Sequence, residues 1–141
     1  MSLIRSKAVC LFRRDDKILL AEGYDPTKDR HYVIPVGGGI DFGEKSIDAA
    51  RREVLEEIGE TIHGLALLGV SENRFTFDGV EGHEIVFVYE AQFDDESLYE
   101  KQEIRGIESD GQNFVVKWFD VNVLLGGTLP FYPDGVVDML K

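Results

Sequence analysis

Three glutamates, Glu53, Glu56 and Glu57, crowd the stretch Arg52–Gly59 (REVLEEIG), which reads as part of a helix. Carboxylates spaced i, i+3 and i+4 are neighbours on one helix face, where each like-charged pair costs roughly 0.2–0.5 kcal/mol. At about 100° per residue, Glu56 lies about 60° to one side of Glu53 and Glu57 about 40° to the other. Such a fan of oxygen donors suits a hard divalent cation, which is commonly held by a few carboxylates together with substrate phosphate. Taken alone, the stretch reads more simply as a solvated acidic face.

The glycines upstream change that balance. In GGGIDFGEKS, Gly38 and Gly43 have the spacing of a phosphate-binding P-loop, but Glu44 occupies the position where the lysine belongs. The dinucleotide pattern G-x-G-x-x-G also fails. A third pattern fits: Gly38, five residues, Glu44, seven residues, then Arg52-Glu53-Val54-Leu55-Glu56-Glu57-Ile58-Gly59. This resembles the Nudix box, G-x5-E-x7-R-E-U-x-E-E-x-G-U, where U is aliphatic. Only the last position departs, with Glu60 in place of an aliphatic residue.

The resemblance implies a hydrolase that uses Mg²⁺ or Mn²⁺ to cleave the pyrophosphate bond of a nucleoside diphosphate linked to another group. It implies Glu56 and Glu57 as metal ligands, Glu53 as ligand or water-activating base, and the Gly37 carbonyl as a further ligand. Glu44 becomes a metal-shell or orienting residue, and Arg52 the group that holds the glutamates in place. Members of the family often use one more acid from a later loop, for which Glu100, Glu103 and Glu108 are candidates, with Glu84 on a strand as another. Arg30, Arg74, Phe75 and Phe77 are candidates for substrate binding, the phenylalanines by stacking on a base. By analogy with the family, a homodimer is also expected. The rival is a sensor of the same fold that binds a nucleotide or metabolite without turnover. Loss of the ligand glutamates would favour it, and here all are present.

These residues need a scaffold. The helix is expected over Ser46–Ile58, with Ser46 as N-cap, Asp48 in its positive first turn and Gly59 past its end. Ile47, Ala50, Val54 and Ile58 form one apolar stripe for a core. Before it, KAVCLFRRDDKILLAEG reads as two strands joined in a hairpin at Arg14–Lys17, and HYVIPVG as a third strand. After it, GLALLGVSENRFTF, HEIVFVYEAQF and NFVVKWFDV read as strands from alternation and β-branched or aromatic content. Asp94–Gln112 is expected to be a long loop and PDGVVDMLK a short closing helix. This order gives one mixed α/β domain over residues 1–141. The resemblance makes it a Nudix-like α/β/α sandwich with a mixed sheet.

Composition narrows the partners. With 27 acids against 15 bases and a net charge of −12, the chain lacks the basic face that a nucleic-acid duplex requires. A small phosphorylated ligand remains compatible, because a bound cation inverts the local charge. No apolar run approaches the ~18 residues of a membrane span, and the first residues carry no signal-like segment. The lone cysteine, Cys10, lies in an apolar run and is expected to be buried. A cytoplasmic setting follows as the expectation.

Overall fold

A computed structural model describes residues 2–141. Among the described residues nine strands form two sheets: β1 (Arg5–Leu11), β2 (Arg13–Arg14), β3 (Lys17–Asp25), β4 (Arg30–Ile34), β5 (Val36–Gly39), β6 (Ile62–Phe77), β7 (Val80–Phe93), β8 (Glu103–Ile107) and β9 (Asn113–Asp120). Helix α1 (Ser46–Ile58) joins β5 to β6, and a short α2 (Val121–Leu125) follows β9. The first sheet has the order β5-β1-β7-β6 and is mixed, since β1 runs parallel to β7 while the other pairs are antiparallel. The second, antiparallel sheet has the order β2-β3-β9-β8, with β4 also pairing β3 along its later half, Ala21–Asp25.

Strand alternation explains the layering. Ala8 and Cys10 of β1 and Leu19 and Ala21 of β3 enter a core with Ala49, Ala50, Val54 and Ile58 of α1. The alternate residues Val9, Leu11, Ile18 and Leu20 enter a second core with Leu124 of α2 and Val136 and Leu140 near the C-terminus. Because successive side chains point to opposite faces, strands buried on both faces become continuous apolar runs. The expected mixed α/β sandwich is what these two cores build. Cys10 is fully buried, and loss of hydration pushes its thiol up to about 12, so it packs as a small apolar group.

Several local expectations are corrected. Arg13–Arg14 do turn back onto Lys17–Ile18, but β1 itself pairs with β5 and β7, so the first two long strands lie in different sheets. The third strand splits at Pro35: β4 joins the second sheet and β5 the first, and a proline with no N–H to donate suits the crossing. Ser46 does not cap α1. The N-cap is Lys45, without a side-chain hydrogen bond, while the Ser46 hydroxyl meets the Tyr89 hydroxyl at 2.6 Å. Gly59 does close the helix, in the left-handed conformation with its N–H on the Leu55 carbonyl. Asp94–Gln112 is not a loop, because it contains a 3₁₀ turn at Glu96–Glu100 and strand β8. The C-terminal helix is a 3₁₀ segment, Val136–Leu140.

Candidate active site

The glycine strand β5 leads over the acidic face of α1, and Arg52 joins the two. All five guanidinium N–H directions are used. Nε donates to one oxygen of Glu44 at 2.8 Å and Nη2 to the other at 2.8 Å, a bidentate fork. Nη2 also donates to the Gly39 carbonyl at 2.9 Å, and Nη1 donates to Glu53 at 2.9 Å and Glu56 at 3.2 Å. A lysine has neither the number nor the planar arrangement of donors to replace it. Glu44 is itself aimed by the Asp41 N–H at 3.1 Å. The arginine hydrogen bonds, then that backbone bond, hold the Glu44 carboxyl down at about 2. Reciprocally, Glu44 holds Arg52 above its ordinary range.

This arrangement relieves the like-charge crowding of α1 in two ways. Arg52 sits between Glu44, Glu53 and Glu56. Glu57 instead keeps a proton: loss of hydration, the Glu108 charge and its hydrogen bond to Glu53 push its carboxyl up to about 8. Glu108, just past β8, is raised in turn by partial desolvation and by the charge of Asp110, with a smaller push from Glu53. Gly38 completes the contact between strand and helix, because any Cβ there would stand 2.5 Å from Cδ of Glu53. The donors are all oxygen, the chemistry that suits Mg²⁺ or Mn²⁺. Among the described residues no group of three or more His, Cys, Asp or Glu is already drawn together around one point, since Arg52 holds the Glu53 and Glu56 oxygens.

Comparison with known proteins decides the family. The NUDIX domain pattern matches residues 3–136. The chain belongs to the NUDIX family. A MutT NUDIX hydrolase from Burkholderia pseudomallei shares 23% identity and superposes with a TM-score of 0.63, over 99% of this chain and 96% of that one. A NUDIX hydrolase from Nitrosomonas europaea shares 21% identity with a TM-score of 0.60, over 98% of this chain and 86% of that one. An ADP compounds hydrolase shares 18%, with a TM-score of 0.57, over 90% of this chain and 64% of that one. At these identities the likeness is one of fold. No curated protein matches the chain.

The residues of the NUDIX box are therefore brought together: Gly38, Glu44, Arg52, Glu53 and Glu56 by direct contact, and Glu57 beside Glu53. Gly37 lies on β5 opposite Val9, one residue before the contact with Glu53. The later acids separate. Glu108 reaches Glu53 and Glu57 by charge, whereas Glu103 pairs across to Lys117 in β9 and Glu100 ends the 3₁₀ turn. A cavity of about 160 Å³ opens between the two sheets. Of the residues considered for substrate binding, Arg30, Phe75 and Phe77 line it, whereas Arg74, exposed and out of phase with the phenylalanines on β6, does not.

The cavity also contains residues that sequence reasoning assigned elsewhere or passed over: Lys7, Asn73, Glu84 and Tyr132. Glu84, a candidate for the further acid, lines this cavity. It is buried, with Lys7 Nζ at 3.5 Å. One signal was available: Asn73 and Glu84 occupy inward positions of β6 and β7, in phase with Ser71 and with Val86 and Val88. A polar residue at an apolar-phase position of a strand marks either a buried network or a site.

Proposed function

We propose that this chain is a metal-dependent pyrophosphohydrolase that cleaves a nucleoside diphosphate linked to a second group. The observation that carries the reading is Arg52, whose five donors tie Glu44, Glu53, Glu56 and the Gly39 carbonyl into one constellation beside Glu57. A sensor with no chemistry to perform has no need of an arginine that fixes this many acids.

Glu56 and Glu57 would hold Mg²⁺ or Mn²⁺, with Glu53 and the Gly37 carbonyl completing the set. When bound, the cation neutralises phosphate charge and acidifies a water. The chain's own residues supply position. Arg52 fixes one oxygen of the Glu53 carboxylate, and once Glu57 has given up its proton the second oxygen would be free to accept the proton of the attacking water. Glu44 anchors Arg52, and its low affinity for protons keeps that anchor charged across the neutral range. Glu108 is the further acid, being the one of the three later candidates that influences Glu57. The cavity between the sheets receives the nucleoside, and Lys7 on its wall lies opposite Gly39 in the β1–β5 register, close to the acids.

The test is a panel of nucleoside diphosphate derivatives and nucleoside triphosphates incubated with Mg²⁺ or Mn²⁺, with the products identified by chromatography. Hydrolysis at the diphosphate is expected, and Glu56→Gln and Glu57→Gln each remove most of it while melting as folded proteins. Tight binding without turnover across the panel would establish the sensor instead.

A further inference from the structure

At the floor of the cavity, a buried carboxylate is held only loosely. One oxygen of Glu84 has Lys7 Nζ at 3.5 Å, and the other has Asn73 Nδ2 at 3.5 Å. Both separations are at the outer limit of hydrogen bonding, where charge-assisted bonds normally close to about 2.7–2.9 Å. The orientation of Asn73 is fixed, because its Oδ1 accepts the Asp134 N–H at 2.9 Å, which leaves Nδ2 toward Glu84. Across the floor, then, the order of groups is donor, acceptor, acceptor, donor: ammonium, two carboxylate oxygens, amide. Buried carboxylates that lack short partners are rare, and this one faces open space.

The walls are aromatic. Tyr32 meets Phe77 and Tyr132 edge-on, at 6.1 and 5.9 Å between ring centres. Phe75 lies over Gly82, where a Cβ would come within 2.5 Å of its ring, so the glycine lets the ring lie flat on the sheet. The volume of about 160 Å³ exceeds that of the ~150 Å³ closed cavity that takes benzene, and because this one is open to solvent on one side a fused two-ring base can enter by its polar edge without being wholly enclosed. A flat heterocycle between aromatic faces, with its polar edge on Glu84, meets all of these conditions.

We propose that Glu84 is a specificity-determining residue that selects a guanine base. This rests on the reading of the chain as acting on a nucleoside diphosphate derivative. Two neighbouring acceptors require two neighbouring donors. Guanine presents N1–H and the 2-amino group side by side, followed by the O6 acceptor. Its two donors pair with the Glu84 oxygens, and O6 accepts a hydrogen bond from Asn73 Nδ2 or Lys7 Nζ. Adenine and cytosine each offer a donor beside an acceptor, and uracil a donor between two acceptors. Each of these sets a lone pair against a carboxylate oxygen, which costs affinity because the buried acceptor stays unpaired.

The experiment is calorimetric titration of the full chain, in Mg²⁺ buffer, with GMP, AMP, CMP and UMP, which contain no diphosphate to hydrolyse. GMP is expected to bind about 10- to 100-fold more tightly than the other three, the discrimination of one good bidentate pair. Glu84→Gln presents one acceptor and one donor, the complement of the adenine edge. It is expected to erase the guanine preference and to strengthen AMP relative to GMP. Equal affinity of the wild-type chain for all four, or preference for another base, overturns the proposal without recourse to any variant. A folded Glu84→Gln protein that still prefers GMP also overturns it. A guanine preference in binding with no hydrolysis of any diphosphate would instead leave Glu84 as the base reader and refute the catalytic reading.

Discussion

Placing a methyl group at Gly38 tests the site where strand and helix meet. A Cβ there would lie 2.5 Å from Cδ of Glu53 and 2.9 Å from Oε1, whereas ordinary contact begins at 3.4 Å. The shortfall to Cδ is 0.9 Å, the difference of those two distances. Only the end of a flexible side chain stands in the way, so the carboxylate yields and the backbone stays. A displacement of about 1 Å is enough to break the 2.9 Å bond from Arg52 Nη1 to Glu53, and misplacement of that size costs on the order of 10²-fold in rate. Gly38→Ala is therefore expected to lower kcat about 100-fold in the Mg²⁺-dependent hydrolysis assay, with its melting temperature within a few degrees of wild type. The neighbouring Gly37→Ala is the control. Its Cβ would strike the backbone of β1, meeting the Ala8 carbonyl and standing 2.6 Å from Val9 Cα, so it should fail by unfolding. Wild-type kcat in a folded Gly38→Ala protein would refute the claim that the position of Glu53 controls turnover.

Three further outcomes are expected. Arg52→Ala should lower activity less than Glu57→Gln, and Arg52→Lys should not restore it, because three ammonium donors cannot span four partners; kcat for the three variants checks both statements. In metal-free protein kept in chelator, Glu57 favours folding when protonated: its ordinary value of 4.5 rises to about 8 in the fold, so stability is fully present below pH 4.5 and is lost as pH rises through about 8. Glu57→Gln should therefore match wild type in melting temperature at pH 4.5 and exceed it at pH 8.5, and parallel melting curves across that range would contradict the assignment. Finally, Leu98 anchors the 3₁₀ turn in the first core at 1% exposure, so Leu98→Ala should cost about 2–5 kcal/mol in urea titration, whereas the same change in a loop would fall within about 0.5 kcal/mol.

Helix α1 was legible because its sequence signals all act locally: the apolar stripe, the spacing of the acids and the terminal Gly59 each work within a few turns. Its N-cap was misread because Ser46 finds Tyr89, a partner 43 residues away that no local rule supplies. Strand existence was equally plain, but strand partnership was not. Alternation shows which side chains share a face and says nothing of which strand lies alongside, so β1 and β3, separated in sequence only by the two-residue β2, went to different sheets. The segment Asp94–Gln112 looked like a loop because β8, with Glu103 and Arg105 facing outward, buries only Ile104 and Gly106 of its five residues. A half-buried edge strand of that length carries too few apolar positions to show a period.

The two halves of the site differ in legibility for the same reason. The acidic face lies on one helix and one preceding strand, so its chemistry is compressed into a single motif. The cavity is assembled from β1, β3, β4, β6, β7 and the segment around Tyr132, with β4 and β6 supplying most of its lining and β1, β3 and β7 one residue each. No spacing rule connects Lys7 to Asn73, or either to Glu84. What links them is a sheet register, Lys7 with Val86 two residues past Glu84 and Glu84 with Asn73, that places three polar side chains on one inward face. Reaction chemistry that must hold charges within a few ångströms benefits from a rigid local frame, and a helix supplies it. Recognition of the group carried by the diphosphate can instead be drawn from whatever strands border the opening between the sheets. Members of one family can thus share the acidic helix while their substrates diverge, and under the proposal made here the base of the substrate is read by Glu84 and its neighbours rather than by the box.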